Sequence, residues 1–318
     1  MRSEFEFIQN IKKKYALNHI GDDCAVLPKD DKFDMVITAD MLVEDIDFRL
    51  DWTTPEFLGH KALAVSLSDV AAMGARPTWA MLSIGVPEKI WNSDFLDRFY
   101  EGWHNLAGEF GVELIGGDIS RVPDKIVIDS VVSGEVAKGK AILRSGAKPG
   151  DAIFVSGSLG GSAGGLKLLE SGISYSDNAK GWQKKLMRQQ LKPLPNGSVA
   201  EALQILRPTS MIDISDGLSS DLSQLCNTSR VGARIFSEKI PIERRLSGLK
   251  VSKSNQIELA INGGEDYVLL FTADKKNISS DRIPRFIHIG EITANVGIIE
   301  LIDGETTSVL EPKGYQHF

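Results

Sequence analysis

The sequence predicts a two-domain α/β protein with mixed sheets, and three observations support this prediction. The chain has 318 residues, of which 42% are hydrophobic, and single hydrophobic cores stop growing near about 250–300 residues. Segments rich in β-branched residues alternate with segments of helical periodicity in both halves. Between the halves, residues 141–151 lose apolar periodicity and read A-I-L-R-S-G-A-K-P-G-D. We therefore predict an N-terminal domain over 1–138, a connection over 139–148 and a C-terminal domain over 149–318.

The first half begins with a short amphipathic helix, since Ser3 and Glu6 have the spacing of a capping box. Helices are also predicted over 55–73 and 93–110, because Gly74 and Gly111 follow them as stop signals. Strands are predicted at four segments rich in β-branched residues: 35–39, 79–86, 112–115 and 126–136.

The second half begins with a predicted strand over 152–155, and a Gly-rich turn over 157–165 then leads into a helix. Another helix is expected after Asp216. Five further strands are predicted: 211–214, 232–236, 267–272, 286–292 and 297–301.

Charge and composition exclude several classes of function. The net charge is −7 and acids and bases are mixed along the chain, so we expect no nucleic-acid partner. The N-terminus lacks the apolar core of a signal peptide and no run of 18 apolar residues occurs. We therefore expect neither secretion nor a membrane span. Cys24 and Cys226 lie far apart and form no zinc motif, which favours a reducing, cytoplasmic location.

Aspartates recur at predicted strand ends and in turns that contain glycine. Taken singly, an Asp beside a Gly is typical of a turn, and Asp216 is also placed to cap the helix that follows it. The aspartates occur at five places: Gly21-Asp22-Asp23, Thr38-Ala39-Asp40 with the acidic stretch to Asp47, Ser68-Asp69, Gly116-Gly117-Asp118, and Asp213-Ile214-Ser215-Asp216-Gly217.

Asp69 is the aspartate that is hardest to explain as a surface residue. It lies in the apolar string A-L-A-V-S-L-S-D-V-A-A-M-G, and a helix of this composition is buried on most of its surface. A buried carboxylate is costly unless it is paired or binds a metal. Both partners stay open at this point: a metal ion, or an ion pair with Lys61 or Arg76.

Convergence of several carboxylates would require a divalent cation. Two carboxylates about 4 Å apart repel by roughly 4 kcal/mol at an effective dielectric constant of 20. Oxygen ligands without His or Cys favour Mg²⁺ over zinc. The chain has no G-x-x-x-x-G-K-[ST] and lacks the protein-kinase motifs, so any nucleotide site must use another scaffold.

Seven strings occur in one order from the first turn to the last residue. The strings are G-D-D-C-A-V at Gly21, K-A-L-A-V-S-L-S-D-V-A-A-M-G-A at Lys61, L-I-G-G-D at Leu114, L-R-S-G-A-K-P-G-D at Leu143, I-D-I-S-D-G-L at Ile212, G-G-E-D-Y at Gly263 and K-G-Y-Q-H-F at Lys313. Together they resemble the thiamine-monophosphate kinase family, which shares its ATP-binding architecture with aminoimidazole ribonucleotide synthetase and selenophosphate synthetase.

The resemblance implies a two-domain fold of this superfamily, in which the N-terminal sheets form a shared barrel across a homodimer. It implies direct in-line transfer of the γ-phosphate of ATP to thiamine monophosphate, the last step of thiamine diphosphate biosynthesis. Several Mg²⁺ ions, ATP and a second copy of the chain are the implied cofactors and partners. No side chain is implied as a general base.

The resemblance also assigns site residues. The implied metal ligands are Asp23, Thr38, Ala39, Asp40, Asp69, Asp118, Asp213 and Asp216. The implied ATP contacts are Tyr100, Gly117, Asp118, Arg144 and Ser215. The implied thiamine contacts are Asp47, Glu265 and Tyr315, although the family commonly has His at the position of Asp47 and some relatives have an aromatic residue at that of Pro312.

Three other functions stay open from the residues alone. A selenophosphate synthetase would use Cys24 as a reactive thiol, although a Cys in this context is more often a small buried hydrophobe. A non-enzymatic nucleotide-binding maturation protein would not need six aspartates. A metal-dependent phosphatase would need an activated water and usually His or a bridging carboxylate, and the five histidines lie outside the acidic motifs.

Overall fold

The computed structural model of the chain describes residues 4–176, 178–197, 206–277 and 286–317. In the first half, five strands form one mixed sheet in the order β1-β2-β5-β3-β4, in which β3 and β4 are parallel and the other pairs are antiparallel. The elements of this half are α1 (Glu4–Tyr15), β1 (Ala25–Pro28), β2 (Phe33–Val43), α2 (Pro55–Ala72), β3 (Arg76–Val86), α3 (Glu88–Trp91), α4 (Phe95–Phe110), β4 (Glu113–Arg121) and β5 (Val127–Ala137).

The central helix of the first half is α2, which packs against one face of this sheet. Thr54 is the N-cap, and its side-chain oxygen accepts a hydrogen bond from the amide of Phe57. Pro55 occupies the first turn, where a residue without a backbone N–H loses no helical hydrogen bond. The helix packs closely against α4 through glycines. A Cβ atom at Gly59 would lie 1.9 Å from the carbonyl oxygen of Phe99, and one at Gly102 would lie 1.9 Å from that of Glu56. Side chains larger than hydrogen would therefore push the two helices apart.

The other face of this sheet, here called the open face, carries exposed apolar side chains. Direct cross-strand partners point to the same face of a sheet. One row of partners on the open face begins with Met41, which is 60% exposed, and another includes Met81, which is 41% exposed. The two rows are Met41–Asp129–Ser83–Asp118 and Ala39–Val131–Met81–Gly116.

The second half contains a seven-stranded sheet in the order β12-β11-β8-β10-β6-β9-β7, in which β8 and β11 are parallel and the other pairs antiparallel. Its elements are β6 (Ala152–Val155), α5 (Gly161–Glu170), α6 (Gly181–Leu191), β7 (Ser210–Asp213), α7 (Leu218–Ser229), β8 (Gly232–Phe236), α8 (Lys253–Asn262), β9 (Leu269–Ala273), β10 (Ile287–Thr293), β11 (Ile299–Asp303) and β12 (Thr306–Val309). Short 3-10 helices lie at Ser237–Lys239, Arg244–Leu249 and Lys275–Asn277.

Each half has its own hydrophobic core, and α2 also contacts the second half. Ala71 and Ala72, at the C-terminal end of α2, pack in one buried cluster with Phe154, Met211 and Phe271. The two-domain, mixed α/β class is therefore confirmed, while the boundaries at residues 138 and 149 stay a prediction. None of the helices in the described residues combines the length and the apolar character that a membrane span requires.

Most predicted elements lie where the sequence indicates, and two need correction. Of the Gly-rich turn predicted over 157–165, residues 161–165 belong instead to the helix α5. The strand predicted over 112–115 runs instead from Glu113 to Arg121, so the Gly116-Gly117-Asp118 segment lies inside β4 and does not end it. A Cβ atom at Gly117 would lie 1.8 Å from the carbonyl oxygen of Leu82. The glycine thus lets the strand continue alongside β3. The predicted capping residue Ser3 lies outside the described residues.

Candidate active site

Three aspartates from separate segments converge where the two halves meet. Asp23 precedes β1, Asp69 lies near the end of α2, and Asp213 ends β7. Each offers one carboxylate oxygen, and these three oxygens lie within 4.8 Å of one another. Asp23 and Asp213 are buried and Asp69 is half-buried. These three residues are called the aspartate group below.

Each member of the aspartate group receives one side-chain hydrogen bond. The Thr38 hydroxyl donates to Asp69 at 2.6 Å and the Ser68 hydroxyl donates to Asp213 at 2.6 Å. The Arg144 guanidinium donates to Oδ1 of Asp23 at 2.6 Å. Two adjacent residues of α2 therefore serve two members of the group: Asp69 belongs to it, and Ser68 orients Asp213.

Burial makes ionisation of these carboxyl groups unfavourable. It raises the pKa of Asp213 to about 8, with a further contribution from the charge of Asp23. It raises the pKa of Asp69 well above its usual range, and the charges of Asp40 and Asp213 add to the effect. Burial also raises the pKa of Asp23, although Arg144 opposes the shift. One arginine does not compensate the charges of three carboxylates, two of them buried and one half-buried, so the group is suited to a cation.

The donor set fits Mg²⁺. The second oxygen of Asp23 is buried and has no hydrogen-bond partner among the described residues, and a buried orphan oxygen is costly unless it binds an ion or water. The ligands are carboxylate oxygens without His or Cys, which Mg²⁺ prefers. Of the two alternative partners for Asp69, Lys61 pairs with Glu265 instead, and among the described residues no ion pair joins Arg76 to Asp69.

Asp40 lies beside the aspartate group on the helix-covered face of the first sheet. Its carboxylate accepts a hydrogen bond from Ser66 of α2 at 2.6 Å, and burial raises its pKa to about 6. Thr38 and Ala39 precede it on β2. Ala39 points to the open face, so only its backbone is available to a ligand on the side of Asp40.

Asp118, Gly117 and Tyr100 are not brought to the aspartate group within one copy of the chain. Asp118 is exposed on the open face, in the row of Ser83, whereas Asp40 points to the opposite face. Tyr100 is half-buried on α4, where its ring contacts Phe99 edge to face at 5.6 Å. The sequence could not reveal this separation, because it depends on the direction of side chains from β4.

A cleft of about 810 Å³ lies between the two halves and extends from Asp40. Predicted site residues from distant parts of the chain line it: Asp40, Asp47, Ser215, Asp216, Glu265 and Tyr315. The three predicted thiamine contacts, Asp47, Glu265 and Tyr315, define what is called the acceptor end of the cleft. The structure thus brings predicted metal, ATP and thiamine contacts to one shared cavity.

The acceptor end is built from loops that are hydrogen-bonded to the rest of the site. The amide of Glu265 donates to the carbonyl of Ser215 at 2.7 Å, and the amide of Tyr315 donates to that of Asp216 at 3.0 Å. Tyr315 is 48% exposed and lines the cleft, where its ring contacts that of His317 edge to face at 4.9 Å. The carboxylate of Asp47 accepts a hydrogen bond from the amide of Val43 at 2.8 Å, which fixes its orientation.

Sequence reasoning missed two structural aspartates. Asp221 is buried and accepts hydrogen bonds from the amides of Asp216 and Gly217 at 3.1 and 2.9 Å. It therefore holds the turn before α7. Asp216 does not cap that helix, whose N-cap is Gly217 without a side-chain bond. The only sequence signal was an Asp four residues after Gly217.

Asp266 is the second missed residue, and it explains the Gly-rich turn over 157–165. Its carboxylate accepts hydrogen bonds from the amides of Gly160 and Ser162 at 2.5 and 3.0 Å. These amides lie at the start of α5, where a helix favours negative charge. A carboxylate of the chain itself fills this position, so the turn is not free for the phosphates of a nucleotide.

Comparisons with known proteins agree with this geometry. The family model "AIR synthase related protein, N-terminal domain" matches residues 21–136, and "AIR synthase related protein, C-terminal domain" matches residues 148–301. The thiamine-monophosphate kinase of Bacillus subtilis (strain 168) is 34% identical over 330 residues, covering 99% of both chains. That of Escherichia coli (strain K12) is 38% identical over 307 residues, covering 94% of this chain and 91% of the relative.

A solved structure of AaThiL complexed with AMPPCP and TMP has the same fold over nearly the whole chain. It superposes with a TM-score of 0.89 at 35% identity, covering 99% of this chain and 97% of that one. The likeness therefore includes both halves and the cleft between them.

Proposed function

This chain belongs to the AIR synthase related proteins and, within them, to the thiamine-monophosphate kinases, and from this membership we infer how its cleft makes thiamine diphosphate. The enzyme is a phosphotransferase that uses ATP to phosphorylate thiamine monophosphate. The observation that supports the proposed mechanism is the aspartate group next to Asp40, a residue that lines the same cleft as Asp47, Glu265 and Tyr315.

Mg²⁺ held by Asp23, Asp69 and Asp213, with Asp40 beside them, would neutralise the charge on the phosphates of ATP. The residues of the chain fix where those phosphates lie. Thr38 and Ser68 orient two of the carboxylates by hydrogen bonds. Asp216 lines the cleft next to them, and burial raises its pKa, so it is a further candidate ligand.

Arg144 and Ser215 are assigned to ATP. One nitrogen of the Arg144 guanidinium pairs with Asp23, while its buried Nε has no hydrogen-bond partner among the described residues. An unpaired buried donor of this kind is suited to a phosphate oxygen. Ser215 lines the cleft between Asp213 and Asp216.

The acceptor needs no base on the protein. Thiamine monophosphate is a phosphate monoester whose second pKa is about 6, so near pH 7 the attacking oxygen is mostly deprotonated. The main obstacle is repulsion between two polyanions that must meet in line, which positioning and electrostatic stabilisation overcome. We therefore infer direct transfer without a phosphoenzyme.

The enzyme is proposed to be a homodimer joined through the open face. Met41 and Met81 are exposed there, and exposed apolar side chains on one sheet face favour association. Pairing of two such sheets would form the shared barrel. Asp118 lies on that face, so we assign it, with the adjacent Gly117, to the site of the other copy. Tyr100 lies on α4, which packs against α2 on the opposite face, and stays a predicted ATP contact.

The reaction is tested by measuring ADP and thiamine diphosphate with purified protein, ATP and Mg²⁺, with and without thiamine monophosphate. We expect both products only when the acceptor is present, and no product in excess EDTA. ATP consumption that does not depend on the acceptor, or consumption driven by a different acceptor, would contradict the proposal.

The absence of a protein base is tested with the histidines, of which His317 lies in the cleft. Because no proton has to leave the acceptor, His317→Gln is expected to keep the rate of phosphate transfer within about tenfold of the wild type, below the 10²–10⁴-fold typical of a lost general base. Rapid-quench measurement of the transfer step checks this. Capture of ³²P on the protein from labelled ATP would show a covalent intermediate instead.

A further inference from the structure

Lys61 is a buried cation at the acceptor end of the cleft. It lies on α2, its side chain is 4% exposed, and its Nζ lies 2.7 Å from Oε1 of Glu265. The same ammonium group donates to the backbone carbonyl of Asp47 at 3.3 Å. A buried charge is stable only when it is paired and hydrogen-bonded. Both partners of Lys61 are residues that the proposed function assigns to the thiamine moiety.

Glu265 needs such a partner, because its loop has an unfavourable backbone. Its φ is +62°, and that of Tyr267 is +49°. Left-handed conformations at residues other than glycine persist only when the surroundings hold them. Gln190 donates to the second carboxylate oxygen of Glu265 and is itself hydrogen-bonded to Ser162. The carboxylate is thus held from the second half on one side and by Lys61 of the first half on the other.

Lys61 is well separated from the aspartate group. Eight residues separate it from Asp69 on the same helix, which corresponds to roughly 12 Å along the axis. Ser66 and Ser68, which contact Asp40 and Asp213, lie toward the Asp69 end. The helix therefore serves two different parts of the cleft, and Lys61 belongs to the acceptor part.

We propose that Lys61 is a positioning residue for the acceptor substrate, whose ammonium group holds the Glu265 carboxylate and the Asp47 backbone in place for thiamine monophosphate. The proposal rests on the assignment of Glu265 to the acceptor. The acceptor carries a cationic thiazolium ring and an aminopyrimidine, and a carboxylate in a fixed position recognises either group. Without Lys61 the Glu265 side chain loses its direct link to the first half, so acceptor binding weakens while phosphate transfer from bound substrates continues.

The test compares Lys61→Met, Glu265→Gln and the double variant by the KM of each substrate and by kcat. Lys61→Met is expected to raise the KM for thiamine monophosphate about tenfold while the KM for ATP and kcat change little. Because Lys61 acts through Glu265, adding Lys61→Met to Glu265→Gln is expected to change that KM by less than about twofold. The double variant removes both charges of the pair and leaves no unpaired buried charge. It can therefore be compared with Glu265→Gln even if Lys61→Met alone folds poorly.

Lys275→Met is the matched control, since Lys275 is half-exposed and pairs with Glu291 at 3.0 Å away from the cleft. It is expected to leave all three constants unchanged. Glu265→Gln with an unchanged KM for thiamine monophosphate would overturn the assignment of Glu265 and leave phosphate transfer itself intact. A raised KM in Glu265→Gln without one in Lys61→Met, or additive effects in the double variant, would overturn the role of Lys61 alone.

Discussion

Asp213 is a carboxylic acid whose ionisation is opposed by the folded state, because burial raises its pKa from 3.8 to about 8. The unfolded chain therefore binds fewer protons than the folded chain between these two values. Stability contributed by this group is present below about pH 4 and is lost as the pH rises toward 8. Asp213→Asn removes this dependence.

In EDTA, Asp213→Asn is expected to become more stable relative to the wild type as the pH rises from 5 to 8. The difference in the free energy of unfolding, variant minus wild type, is expected to increase by at most about 1.4 kcal/mol per pH unit. Urea denaturation at four pH values measures it, and added Mg²⁺ is expected to reduce the difference. Asp51→Asn is the control, since Asp51 is exposed and its hydrogen bond with Arg49 lowers its pKa. A difference for Asp213→Asn that does not change with pH would contradict the prediction.

A substitution at Asp40 tests whether its negative charge is needed for catalysis while the hydrogen bond from Ser66 is kept. Asn at this position still accepts from Ser66, so Asp40→Asn is expected to fold normally and to lose turnover by about 10³-fold, equal to about 4 kcal/mol. The measurement is kcat at saturating Mg²⁺ and substrates. Asp34→Asn, on the same strand and facing Gly139, is expected to stay active. Near-normal turnover of Asp40→Asn at low Mg²⁺ would remove Asp40 from the site.

At the scale of elements, β4 depends on the absence of a side chain at Gly117. A methyl group there would meet the Leu82 carbonyl at 1.8 Å, whereas one at Gly116 would meet only the end of Met81 at 3.5 Å. Gly117→Ala is therefore expected to destabilise the β3–β4 pairing by about 1–3 kcal/mol and to lower activity by displacing Asp118. Gly116→Ala is the matched control and is expected to keep its stability. Thermal denaturation measures both variants, and equal midpoints for Gly117→Ala and Gly116→Ala would contradict the prediction.

The same segment shows what sequence patterns can and cannot predict. The strand over 152–155 is apolar throughout and is confirmed without change. The glycines at 116 and 117 predict a strand end, because glycine is rare inside strands. Only the spatial approach of Leu82 explains why glycine is required there. The polar elements α6, α8 and β12 carry weak periodicity and were not predicted.

The same distinction applies to the residues of the site: those in distinct motifs could be predicted, and those whose partners are distant in sequence could not. Asp23, Asp69 and Asp213 could be proposed because each stands in a distinct motif, and the structure brings them together. Asp266 could not, since its partners are amides at Gly160 and Ser162, about a hundred residues earlier. Such contacts leave no local trace in a sequence.

For the whole molecule, the open face predicts association. Sedimentation is expected to show about twice the 34.8 kDa mass of the chain. Met41→Asp combined with Met81→Asp replaces the two exposed methionines of the open face by charges and is expected to yield monomers, while Leu194→Asp, at an exposed position outside the open face, is the control. A stable wild-type monomer at micromolar concentration contradicts the shared barrel.

If Asp118 serves the site of the other copy, two inactive variants complement each other. A mixed dimer of Asp40→Asn and Asp118→Asn contains one site with both defects and one intact site. Random reassembly of equal amounts is therefore expected to restore about a quarter of wild-type activity. Assignment of both residues to the same copy predicts no recovery.

Because α2 packs against both sheets, it couples the unfolding of the two halves. Ala71 and Ala72 share one buried cluster with Phe154 and Phe271, while earlier residues of the same helix fill the first core. A fragment that ends at residue 138 would expose this end of the helix to water. The halves are thus folding partners rather than independent units, and heat is expected to melt them in a single cooperative transition.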